Sequence, residues 1–160
     1  MVADDEVLVS FLAAQRERVF AVVEGLDDDQ LRTAALPSGW TPLGLIEHLG
    51  HAERHWFQEV ALGTADPLPD ELTGRSTTAL SAESVFAFYR DQIAQADEVL
   101  RTTLLATAPR GRHGDGAGRE VTDLRVIVLH MIEETARHLG HLDAARELID
   151  GRTGLGQDDL

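Results

Sequence analysis

Glu134 and His138 stand four residues apart in the run His130-Met131-Ile132-Glu133-Glu134-Thr135-Ala136-Arg137-His138-Leu139-Gly140-His141. On a helix that spacing stacks the two side chains over one turn. An imidazole and a carboxylate so placed suit two ligands of one divalent cation, with zinc, nickel and iron all compatible. Both fall inside the apolar stripe formed by Leu124, Ile127, Met131, Leu142, Ala145 and Ile149. A carboxylate in the middle of a core face is costly unless it is paired or bound to a metal. The other reading of Glu134 is an ion pair with Arg137 or with an arginine of another helix.

A second histidine group lies far upstream, at His48, His51 and His55. His48 sits at the edge of the apolar face made by Leu45, Leu49, Ala52 and Trp56, which makes it the best candidate to reach inward. The alternative is His51 with His55, spaced like half of a zinc site. The intervening acid, Glu53, stands wrongly for a His-Glu-x-x-His protease. Isolated histidines near a core face are often only hydrogen-bonded boundary residues. On that basis His51, His55 and His113 read as surface residues. A di-iron centre would need Glu-x-x-His on two helices. The spacing here is Glu-x-x-x-His, with no matching pair upstream, so one mononuclear site fits better.

These residues need helices to position them, and the sequence is rich in helical periodicity. Apolar residues recur at steps of three and four, and alternating runs are nearly absent. A first helix is predicted over about Asp5 to Gly25, with Leu8, Phe11, Leu12, Gln15, Val19, Val22 and Val23 as its stripe. Asp27 and Gln30 form a capping arrangement for one short turn. Thr41-Pro42 reads as an N-cap and a first-turn proline, opening a second helix that stops at Gly63. Thr64 to Ala79, with Pro67 and Pro69, reads as a loop. Ser81 caps a third helix whose buried face is Val85, Phe86, Tyr89, Ile93, Ala96, Leu100 and Leu104. Pro109 to Glu120, holding four glycines and three arginines, reads as a mobile loop without a phosphate-cradling motif. Thr122 is predicted to cap a fourth helix that ends before Gly151. The expected architecture is an all-α four-helix bundle over residues 1–152, with 153–160 a frayed tail.

Composition narrows the function further. The chain has 160 residues, no cysteine and a formal net charge of −14; all 14 basic residues are arginine. The acid excess argues against a nucleic-acid partner or an anionic membrane surface. No segment approaches the roughly 20 apolar residues of a membrane span. The N-terminus is acidic where a signal peptide is basic. A cytoplasmic protein is expected, and the arginine-only composition suggests a GC-rich genome.

The run Leu36-Pro37-Ser38-Gly39-Trp40-Thr41-Pro42-Leu43-Gly44-Leu45, followed by His48-Leu49 and Glu53 to Phe57, resembles the DinB-like superfamily. The second signature is His130 to His141, running on to Arg146-Glu147-Leu148-Ile149-Asp150-Gly151. The resemblance covers nearly the whole chain and is closest to the actinobacterial branch related to mycothiol-dependent transferases. It implies a four-helix bundle holding one divalent metal through His48, Glu134 and His138. Glutamate at position 134 is similar to the metal domain of the mycothiol-dependent maleylpyruvate isomerases, which also carry a further C-terminal domain. A homodimer is expected from the same resemblance.

The activity implied is a metal-dependent thiol S-transferase joining a low-molecular-weight thiol, with mycothiol the candidate, to small electrophiles in a detoxification chemistry. Three protein ligands leave coordination positions open, and a cation there depresses the pKa of a bound thiol. With no cysteine in the chain, the sulfur must arrive on the cosubstrate. His51 or His141 is a candidate base. Arg137 and the arginines of the Pro109 to Glu120 loop are candidates for binding carboxylate or sugar hydroxyls. The competing readings are a hydrolase using metal-activated water and a non-enzymatic dimeric bundle with a structural or sensory metal.

Overall fold

The computed structural model describes residues 3–64, 78–114 and 120–154. Most of the expected Thr64 to Ala79 loop, the middle of the arginine–glycine loop and the end of the tail lie outside the described residues. Four long helices carry the fold. They are α1 (Ala3–Val23), α3 (Pro42–Glu53), which Arg54–Leu62 continues as a π-helix, α4 (Ala82–Thr102) and α5 (Leu124–Asp150). The short α2 (Asp28–Leu31) sits between the first two. There is no strand among the described residues, and no helix of theirs is long and apolar enough to cross a membrane.

The helix ends follow local chemistry. Asp27 and Gln30 form a reciprocal capping box, their side chains accepting backbone bonds of 2.8 and 3.0 Å. Thr41 caps α3 through a 3.0 Å bond from the Gly44 amide, with Pro42 in the first turn. Gly63 and Gly151 end their helices at φ 65° and 78°, the left-handed region in which a side chain is disfavoured. Ser81 caps α4 as expected. The cap of α5 is Asp123 and not Thr122. The Asp123 carboxylate accepts from the Val126 amide, while the Thr122 hydroxyl donates to that same carboxylate.

Helix α1 packs along α5, and α3 along α4, with α3 also touching α5. Two expected core residues are exposed. Phe11 is 59% exposed because the buried line of α1 runs through Leu12, Arg16, Val19 and Val23. Leu104 is 74% exposed because α4 stops at Thr102 and the chain turns extended at Thr103.

Two apolar clusters fill the bundle. One gathers Leu12, Phe57, Ala96, Leu100, Ile127 and Met131. The other gathers Val19, Leu43, Ile46, Leu49, Tyr89 and Leu142. Between them every long helix contributes a buried polar residue: Arg16, Glu53, Gln92 and Thr135. Arg16 grips Glu53 through two bonds of 2.7 and 2.6 Å and reaches Asp97 at 2.8 Å. Burial pushes the Glu53 carboxyl up, against the pull of Arg16. Thr135 directly follows Glu134 on α5.

Candidate metal centre

The cap at Thr41 sets the phase of α3 and so directs His48 toward α5. The cap at Asp123 does the same for Glu134 and His138, three turns along α5. His48 Nε2 lies 3.1 Å from Glu134 Oε1, and His138 Nε2 lies 3.0 Å from that same oxygen. Two imidazoles from separate helices thus converge on one carboxylate atom. One ligand atom from each of the three residues lies within 4.8 Å of the others, the one cluster of this kind among the described residues.

The electrostatics agree with the geometry. Hydrogen bonds from His138, and next from His48, hold the Glu134 carboxyl far below the usual carboxylate range against the opposing effect of burial. The three side chains keep 24%, 20% and 17% of their surface for His48, Glu134 and His138. All three therefore remain in contact with solvent. Trp40, which by sequence is only part of a turn, walls the site. Its ring lies 5.4 Å from that of His48 and 6.2 Å from that of His138. Two imidazole nitrogens and a carboxylate oxygen are a borderline donor set that suits zinc, nickel or iron.

The other sequence candidates are distributed differently. His141 Nε2 meets the Ser38 hydroxyl at 2.9 Å, in the turn that carries Trp40. Arg137 is exposed on α5 beside His138. His51, expected at the surface, is buried, because α3 is packed by α4 on the face that looked polar. Its ring lies 4.7 Å from Phe88 of α4, and burial lowers its affinity for a proton. His55 is half-buried and touches the exposed His113. Glu53, a bystander by sequence, is wholly buried on Arg16. The signal for that pair was an arginine set between Leu12 and Val19 on one helical face.

The all-helical bundle is consistent with the DinB-like class. A family model described as mycothiol-S-transferase matches residues 7–151, and the chain belongs to that family. The crystal structure of a conserved protein from Enterococcus faecalis is similar in fold at 15% sequence identity. Its TM-score is 0.64 over 92% of this chain and 97% of that one. No curated protein compared with the chain matches it.

Proposed function

We propose that the protein is a metal-dependent thiol S-transferase that joins a low-molecular-weight thiol, mycothiol by family, to a small electrophile. The observation that carries this reading is the convergence of His48 and His138 on one oxygen of Glu134. His48, Glu134 and His138 would hold the cation. A divalent ion so bound supplies the Lewis acidity that favours a thiolate at neutral pH.

The chain's own residues prepare that chemistry. Glu134 stays anionic and offers the negative charge a cation needs. Trp40 packs its ring beside both imidazoles. The Ser38–His141 pair would orient polar groups of the thiol or take up its proton. Arg137 offers an exposed guanidinium for a carboxylate or sugar hydroxyl on the same helix. No cysteine competes as nucleophile, so the sulfur comes with the cosubstrate.

The test is thiol consumption by untagged, metal-loaded protein supplied with mycothiol and a chloronitroarene, with ester hydrolysis measured in parallel. Conjugation above background, lost in His138→Ala together with the bound metal, is the expected result. Ester turnover without conjugation reverses the assignment. A His138→Ala variant with unchanged metal content removes the ligand set.

A further inference from the structure

A second histidine centre lies outside the His48, Glu134 and His138 site, and three features of the fold create it. The π-helix Arg54–Leu62 sets His55 and Glu59 four residues apart, with His55 Nδ1 only 2.6 Å from Glu59 Oε2. The segment after α4 folds back onto that helix, the Arg110 and Gly111 amides donating to the Ala61 and Val60 carbonyls at 3.0 and 2.8 Å. Gly111 is required there, since a Cβ would collide with the Glu59 carbonyl oxygen. The segment thereby lays His113 Nδ1 at 2.8 Å from His55 Nε2. Trp56 supports the arrangement, its ring 4.3 Å from both His113 and His130.

The tautomer of His55 follows from its partner. In the neutral form of His55 the carboxylate, which only accepts, draws the hydrogen to Nδ1 and leaves the Nε2 lone pair toward His113. A carboxylate holding one nitrogen of a histidine while the other nitrogen faces outward is the recurring way proteins orient an imidazole for a metal. Glu59 itself lacks full compensation. Its side chain is 11% exposed, and its second oxygen is buried without a hydrogen-bond partner among the described residues. A largely buried carboxylate with one oxygen left without a hydrogen bond is unfavourable, and a nearby cation relieves it.

The separation of the two nitrogens is compatible with a shared ion. Donors about 2.0 Å from a shared metal stand about 2.8 Å apart at a right angle and about 3.3 Å apart at a tetrahedral one. The observed 2.8 Å is a hydrogen-bond length between the two rings and lies close to that range, so a small movement of either ring lets both nitrogens share an ion.

We propose that His55 Nε2 and His113 Nδ1 form a second cation site, oriented by Glu59 and suited to a divalent transition-metal ion such as nickel(II). Its remaining positions are open to water or small ligands. An ion there ties the segment between α4 and α5 to the π-helix. The site does not depend on the transferase reading.

Nickel(II) titration of untagged protein whose first site already holds zinc tests the proposal, read by calorimetry and by elemental analysis after dialysis. One nickel per chain is expected without loss of zinc. His113→Ala and His55→Ala each abolish it, and Glu59→Gln weakens it about 10–100-fold. His113 is exposed, so its variant tests binding without disturbing the core. No nickel beyond background, nickel replacing zinc one for one, or full nickel binding by His113→Ala overturns the proposal.

Discussion

Replacing Glu53 with alanine should be among the most destabilising single changes in this protein. The Glu53 side chain is fully buried and that of Arg16 is 4% exposed, so the variant strands a guanidinium in the core. Two charge-assisted bonds of 2.6 and 2.7 Å disappear. The remaining partner, Asp97, is 58% exposed and screened by water, so it compensates weakly. Breaking a buried pair from one side costs about 3–5 kcal/mol. Against a total stability of about 5–15 kcal/mol, that is a large fraction. At about 2 kcal/mol per molar urea, the midpoint should fall by about 2 M. The double variant Arg16→Met with Glu53→Leu removes both charges and keeps most of the volume. It should lie within about 1 kcal/mol of the parent, or above it. Urea unfolding followed by circular dichroism measures all three proteins. A single variant that loses less than about 1 kcal/mol, or a double variant as weak as the single, would show that packing rather than charge burial sets the cost.

Three further outcomes are expected. His51 is kept neutral by burial, so the folded state binds a proton less readily than the unfolded chain, whose ordinary value is 6.5. Its share of the stability is therefore present above that pH and lost below it. Metal-free His51→Leu should show a flatter fall in urea midpoint between about pH 7 and about pH 5.5 than the parent, and an equal slope refutes the assignment. Gly111→Ala should detach the segment after α4, removing two backbone bonds worth about 1 kcal/mol each. Amide exchange at residues 110 and 111 should speed up accordingly, and unchanged protection would contradict the steric argument. Leu100→Ala, at 4% exposure, should cost about 2–5 kcal/mol, whereas Leu104→Ser should stay within about 0.5 kcal/mol. Equal thermal shifts in the two would argue against the end of α4 at Thr102.

What was legible in the sequence divides along physical lines. Boundaries governed by local chemistry could be read directly, as at Thr41-Pro42, Asp27 with Gln30, Ser81 and Gly63. The Glu134 and His138 pairing was legible for the same reason, since one turn of helix joins the two residues. The burial of His51 was not, because it depends on α4 packing against a face that periodicity marked as polar. Phe11 and Leu104 show the converse error: they are apolar residues that periodicity assigned to a core which stops short of them. The meeting of His55 with His113 spans 58 positions and depends on two backbone bonds, neither of which leaves a periodic trace.

The π-helical stretch has a consequence for how this protein can change over generations. A π turn is commonly an α-helix that accommodates one additional residue. Loss of a single codon within Arg54–Leu62 would restore the α-helical turn and change how the residues inside the stretch face one another, while those beyond it keep about their present phase. His48 lies ahead of the stretch and would keep its aim at Glu134. His55 and Glu59 lie inside it, and the carbonyls of Val60 and Ala61 that hold the returning segment lie at its far end. One histidine centre could therefore be gained or lost by a one-residue insertion or deletion while the other is inherited unchanged.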